Sequence, residues 1–185
     1  MSPISLKRSM SILSNTTDSN SVAVSLGSNL PYLNRSPREI VLAAIQSLRS
    51  ISIEAEASSL YLSEPIDCPL GTGDFINAAM ILRLSSKISA SELLAVLQGI
   101  EADYGRARSA EQNQARTLDI DIISYGNQVL ESAHLILPHP RAAQRRFVLM
   151  PLVEIHPEMV LPGQSENIAQ LLDLLPRIEN VHLLA

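Results

Sequence analysis

The chain has no tryptophan, and only two phenylalanines and four tyrosines among its 185 residues. So few rings leave little for the stacking platforms that RNA-binding modules use. Basic charge is also short: the net charge is −5, which argues against a nucleic-acid-binding surface but leaves room for a local basic pocket. A single cysteine, Cys68, excludes an intrachain disulfide and fits a reducing compartment, so a cytoplasmic location is expected. Cys68 lies in a Pro- and Gly-rich stretch without a partner at metal-ligand spacing, and reads as a passenger. No apolar run approaches the roughly 18–20 residues of a membrane span.

Hydrophobic residues make up 46% and charged ones 18%, at a length that suits one domain with a substantial core. Residues 1–20 are rich in Ser, Asn and Thr and lack the apolar core of a secretory signal, so a disordered tail is expected, with the folded domain spanning 21–185. Two other readings of this stretch stand beside that one. Met10 can serve as the start, and Lys7 and Arg8 precede any acid, as in an organellar transit peptide, although the segment is short and poor in arginine.

Val22 to Leu26 reads as a strand ending at Gly27-Ser28-Asn29. A helix opens at Ser36 with Pro37 in its first turn and Glu39 behind it, its inward stripe being Ile40, Ala43, Ala44, Ser47 and Leu48. Residues 53–62 read as a second strand, 63–74 as a loop with two prolines and two glycines, and Phe75 to Leu84 as a third strand. Ser89 and Glu92 form a capping box for a helix that runs to about Tyr104, closed by Gly105. After a loop over 106–115 comes a strand with two aspartates, then a Gly126-Asn127 turn. The β-α-β-β-α-β order predicts an α+β, ferredoxin-like core with an antiparallel sheet. Beyond it a short strand, a helix around 145–155 and another near 166–175 are expected as C-terminal additions to the same domain.

The two aspartates, Asp119 and Asp121, carry the most chemistry. Strand alternation in the run from Arg116 sends Leu118, Ile120 and Ile122 one way and Thr117, Asp119, Asp121 and Ile123 the other. Two carboxylates on one strand face repel each other unless a cation or an arginine lies between them. Arginines stand near at 106, 108 and 116. Carboxylates for hard cations and guanidiniums for anionic oxygens are the parts of a magnesium–phosphate site. An isolated Asp-x-Asp also suits a solvated edge strand, but this run is otherwise too apolar for that.

Other candidates are weaker taken one at a time. Gln98 and Glu101 lie at i and i+3 and can face one site, or can be solvated helix-surface groups. Arg106 and Arg108 open a polar loop that either closes over an anion or is merely exposed. His139 lies between two prolines and close to Arg141, Arg145 and Arg146; Arg145 suits phosphate and His139 a hydrogen bond, while Arg141 and Arg146 can be solvated. Phe75 and Phe147 are ordinarily core residues, but a flat ligand ring can be sandwiched between two such side chains.

The assembly resembles the 6-hydroxymethyl-7,8-dihydropterin pyrophosphokinase family. The likeness rests on Ser25-Leu-Gly-Ser-Asn-Leu30, Phe75-Ile-Asn-Ala-Ala79, Ile100-Glu101 with Gly105-Arg106, Arg116-Thr-Leu-Asp-Ile-Asp-Ile122, Leu137-Pro-His139 and Phe147-Val-Leu-Met-Pro-Leu-Val-Glu-Ile-His-Pro157. Together these run across most of the chain, in an order and spacing more specific than any one motif. The resemblance implies a ferredoxin-like α+β fold and a magnesium-dependent transfer of pyrophosphate from ATP to the pterin hydroxymethyl group, in tetrahydrofolate biosynthesis. By the same resemblance Asp119 and Asp121 hold magnesium, and Arg106 and Arg116 act on the transferring phosphates. Gln98, Glu101, Arg108, Ile122, His139 and Arg145 line the ATP site, and Ser63, Phe75, Asn77 and Phe147 take the pterin. The partners so implied are ATP and the pterin, with neither nucleic acid nor membrane, and a monomer is expected. The chain departs from the family pattern at Gln112-Asn-Gln-Ala115, where a basic-Trp-Gly-Pro segment is usual, at Glu64, where proline is usual, and at Phe75, where tyrosine is frequent. The altered loop favours a rival reading, a catalytically weak ATP- and pterin-binding homologue; the intact aspartates and arginines favour the enzyme.

Overall fold

The computed structural model describes residues 19–66, 68–69, 71–85, 88–106 and 115–184. The segment 1–18, nearly all of the expected tail, lies outside the described residues, as does Arg108.

Strand β1 (Ser21–Ser28) leads into helix α1 (Pro37–Ser50). The Ser36 hydroxyl accepts the Glu39 N–H, and the Glu39 carboxylate accepts the Ser36 N–H, so the capping box forms as the sequence indicates. The inward face of α1 is Ile40, Val41, Ala44, Ile45 and Leu48. The expected stripe is therefore rotated: Ala43 and Ser47 are only half-buried, and the Ser47 hydroxyl donates back to the Ala43 carbonyl at 3.3 Å.

The single strand expected over 53–62 is instead two, β2 (Glu54–Ala57) and β3 (Tyr61–Ser63), both antiparallel to β4 (Phe75–Arg83). Ala57 pairs with Met80 and Tyr61 with Asn77, so three residues on one side oppose two on the other, a bulge. Glu154 stabilises this break by accepting from the Ser59 N–H at 3.0 Å, the Ser59 hydroxyl at 2.7 Å and the Tyr61 hydroxyl at 3.0 Å.

Helix α2 (Ala90–Asp103) is capped by Ser89 and Glu92 and stops at Gly105, whose φ is +77°. Strand β5 (Asp119–Tyr125) follows, then a small hairpin of β6 (Leu130–Glu131) and β7 (Ile136–Leu137). Helix α3 (Arg146–Ile155), helix α4 (Ile168–Leu174) and strand β8 (Val181–Leu183) complete the chain. One short strand was expected after the aspartates and three are present; each is only two or three residues long, too short to show a period of two.

The main sheet is antiparallel, ordered β5–β1–β4–β3–β8, with β2 also on β4. One face, with Val22, Val24, Leu26, Met80, Ile120 and Ile122, packs on α1 and α2. The other, with Ala23, Ala79, Ile81 and Ile123, packs on α3 and α4. Cross-strand partners share a face, so the second face continues through Ser25 opposite Asp121 and Gly27 opposite both Asp119 and Asn77. The apolar cluster under α3 and α4 does not include those residues, and that end of the sheet is a floor of small and polar side chains. Among the described residues, no helix is long and apolar enough to cross a membrane.

Gly105 is closely packed. A Cβ there would lie 2.1 Å from the Tyr32 ring, on backbone that L side chains rarely adopt. Gly105→Ala is expected to cost about 2 to 4 kcal/mol, from left-handed strain plus overpacking, measured by denaturant unfolding.

Candidate active site

A cavity of about 330 Å³ opens over that floor. Among its walls are Ser63, Phe75, Asn77, Arg106, Arg116, Asp119, Asp121, His139, Arg145 and Phe147, ten of the residues singled out in the sequence. They come from β3, β4, β5, the start of α3 and the connections between them. Phe75 and Phe147 are half-buried and flank the cavity, Phe147 also packing against the core under α3 and α4.

Asp119 lies between two guanidiniums, those of Arg106 and Arg116. Arg106 also pairs with Glu101, which is 3% exposed and accepts the Ile120 N–H at 2.8 Å. Burial works against the charge of Arg106, but Asp119 and then Glu101 outweigh it and raise its pKa. Glu101 thus stands behind Arg106 and outside the cavity wall, a buried anion that aims a cation. Arg116 is held through its backbone: its N–H donates to Asn29 Oδ1 at 2.6 Å, and its carbonyl accepts from Asn29 and Leu30 N–H.

Among the described residues Asp121 has no comparable guanidinium contact; His139 Nε2 lies 3.9 Å away. Desolvation, and next the Asp119 charge, push its pKa up to about 7, against the pull of Arg145 and Arg116. A carboxylate so placed gains from a bound cation. Asp119 and Asp121 supply hard oxygen donors, and among the described residues no third acid, His or Cys joins them to complete a metal shell. That donor set fits a small divalent ion that keeps water and takes ligand oxygens, and not an all-protein cage.

The His139 N–H donates to the Ile123 carbonyl at 2.9 Å, and its Nδ1 accepts from the Arg141 N–H at 3.2 Å. Burial, then Arg145 and Arg141, lower its pKa to about 4, so the ring is neutral near pH 7. With Nδ1 accepting, the proton resides on Nε2, which is the donor available to a ligand. Arg145 lies 5.3 Å from the Phe147 ring centroid, a cation–π contact that joins the basic cluster to the ring wall.

Asn77 and Ser63 are buried, and the Asn77 amide donates to Ser63 Oγ at 2.9 Å and to the Phe75 carbonyl at 3.2 Å. The Asn77 carbonyl oxygen is left on the Gly27 side, 3.5 Å from where a Cβ at Gly27 would stand. A ligand edge with N–H donors is the complement of that oxygen.

Besides Glu101, two sequence candidates are placed away from the cavity wall, and a third is not described. Gln98 is half-buried on α2 and does not line the cavity. Ile122 points into the α1–α2 core, on the opposite face of β5 from the aspartates, as its alternation requires. Arg108 lies outside the described residues. Conversely, Cys68, read as a passenger, lines the cavity, as do Arg141, Gln144, Glu64 and Glu179. Arg146 is not simply solvated, since its guanidinium donates to the Leu172 and Leu175 carbonyls at 3.3 and 3.4 Å. Nothing in local sequence marks Glu179; the fold brings it back from 33 residues beyond Arg146.

Fold and cavity together define an antiparallel α+β protein with paired carboxylates, converging arginines and a ring-sized slot. Residues 23–157 match the family described as 7,8-dihydro-6-hydroxymethylpterin-pyrophosphokinase (HPPK), and the chain belongs to that family. It is 40% identical over 151 residues to the 2-amino-4-hydroxy-6-hydroxymethyldihydropteridine pyrophosphokinase of Synechocystis sp., covering 81% of this chain and 73% of that protein. The protein of the same name from Haemophilus influenzae is 36% identical over 144 residues, or 77% and 85% of the two chains. A folate synthesis bifunctional protein of Arabidopsis thaliana is 36% identical over 144 residues, which are 76% of this chain and 28% of that one. Among solved structures, a Plasmodium falciparum HPPK-DHPS superposes with a TM-score of 0.61 at 13% identity. That likeness concerns the fold alone, and it covers 83% of this chain and 43% of the Plasmodium chain.

Proposed function

We propose that the protein transfers a pyrophosphoryl group from ATP to the hydroxymethyl oxygen of 6-hydroxymethyl-7,8-dihydropterin in tetrahydrofolate biosynthesis, releasing AMP. The observation that carries this reading is the row across the sheet from Asp119 through Gly27 to Asn77. At about 4.8 Å per strand, the row sets the charged groups about 10 Å from the ring-edge acceptor, a distance a pterin with its hydroxymethyl arm can span. Phe75 and Phe147 would sandwich the ring, with Asn77 and Ser63 on its edge.

The hydroxymethyl oxygen forms a bond to the β-phosphorus. The bond from that phosphorus to the oxygen bridging it to the α-phosphate breaks, AMP keeps the bridging oxygen, and the hydroxyl proton goes to solvent. Such transfer depends on in-line placement and on neutralising charge more than on a strong base. Arg106 and Arg116 lie where charge grows on the transferring group, and Arg145 and the His139 Nε2–H are donors for the remaining phosphate oxygens. Asp119 and Asp121 would hold magnesium, which supplies further neutralisation of phosphate charge when bound. Gln98, Glu101, Arg108 and Ile122 belong to the nucleotide side only through the family resemblance, with Glu101 acting through Arg106.

We also read residues 21–185 as one pterin pyrophosphokinase domain with 1–20 as a tail, monomeric and cytoplasmic. The strand order β5–β1–β4–β3 supports a ferredoxin-like core with C-terminal additions. A coupled assay for AMP with ATP, magnesium and the pterin tests the whole reading. AMP formed only with pterin present is expected; pterin binding without AMP would make the protein a binding homologue instead. Arg116→Ala is expected to lower kcat about 100-fold with only a few-fold change in KM for ATP, seen in steady-state kinetics. A pure affinity loss would make Arg116 a ground-state anchor.

A further inference from the structure

Helix α3 begins beside the cavity without a cap of its own. Its N-cap residue, Arg145, makes no side-chain capping bond. The cap comes from elsewhere: the Arg146 N–H donates to Glu179 Oε2 at 2.9 Å. A carboxylate at that position also complements the positive end of the helix. Glu179 lines the cavity, between α4 and β8 in the chain.

The segment that carries Glu179 is pinned on both sides. Toward α3, the Arg146 guanidinium holds the Leu172 and Leu175 carbonyls. Toward β3, Val181 pairs with Ser63, and Asn180 Nδ2 donates to Glu64 Oε1 at 3.1 Å. Residues 179–181 therefore connect two sides of the cavity: the start of α3, with Phe147, and β3, whose Ser63 pairs with Phe75.

We propose that Glu179 is a positioning residue for ring binding, resting on the functional reading above. By capping α3 in trans from a segment anchored on β3, it sets the place of Phe147 relative to Ser63 and Phe75. Its loss lets the first turn of α3 fray, and the ring loses one face of its slot. Arg106, Arg116, Asp119 and Asp121, on β5 and around the end of α2, are not held by this contact, whereas Phe147 and the N-cap residue Arg145 are, so the effect falls on substrate affinity, pterin above all, ahead of the rate at saturation.

The test is pterin binding, read from ring fluorescence, together with AMP formation and thermal melting, in wild type, Glu179→Ala and Glu179→Gln. Glu179→Ala is expected to weaken pterin binding about tenfold while kcat at saturating pterin falls less than about twofold. Glu179→Gln keeps an oxygen acceptor for the Arg146 N–H and is expected to recover binding to within about threefold of wild type. Wild-type binding by Glu179→Ala, or a fall in kcat with binding unchanged, overturns the proposal. Should the alanine chain not fold, Glu179→Asp, too short to reach the same N–H, replaces it: weaker binding than Glu179→Gln supports the brace, and equal or stronger binding overturns it. Wild-type protein that neither binds pterin nor makes AMP overturns the functional reading and this proposal with it.

Discussion

Asp121→Ala is expected to abolish AMP formation, by about 1,000-fold or more, and to remove the magnesium dependence of ATP binding, while the fold survives. Asp121 is the carboxylate of the pair that no guanidinium among the described residues engages closely, with His139 Nε2 3.9 Å away. Its raised pKa, about 7, means that the metal-free fold resists its ionisation. The sign for stability follows. A carboxyl whose folded pKa lies above its unfolded value, about 4, destabilises the fold once ionised. That cost is absent below about pH 4, grows as pH rises, and levels off above about 7. In chelator, then, Asp121→Ala should melt at or above the wild-type temperature at pH 8, with the gap closing as pH falls toward 4. Wild-type turnover by this variant would remove Asp121 from the metal site, and a lower melting point at pH 8 would mean that the carboxylate is held by the fold.

Arg106→Met is expected to be costly in two separable ways. Catalysis should fall about 100- to 1,000-fold, because a donor to the transferring phosphates is gone. Stability should also fall, because the ion pair between Arg106 and Glu101, which is 3% exposed, is removed. Adding Glu101→Gln removes the Glu101 charge while keeping an acceptor for the Ile120 N–H. The double variant is therefore expected to regain part of the stability and none of the rate. Denaturant unfolding and AMP kinetics on the three chains check this, and recovery of the rate in the double variant would show that Arg106 acts only as a counter-ion.

Much of this protein was legible because its signals are local. The capping boxes at Ser36 and Ser89 and the stop at Gly105 are set by residues within one turn of each other. The alternation along 117–123 correctly divided Leu118, Ile120 and Ile122 from the aspartates, since side chains on a strand point to alternate faces. The same rule placed Ile122 in the core, away from the cavity. The bulge at 58–60 was not legible, because it depends on pairing with residues 78–79 and on Glu154 from α3.

By itself the sequence determined the element types, the two-faced character of β5 and the inventory of arginines, aspartates and rings, since periods and caps need only near neighbours. Tertiary structure alone decided that Cys68 and Glu179 reach the cavity, that Glu101 lies behind Arg106 and that β8 closes the sheet beside β3. Apart from Glu101 and Arg106, five positions apart, those placements join residues distant in the chain, through hydrogen bonds and burial that exist only once the sheet has assembled.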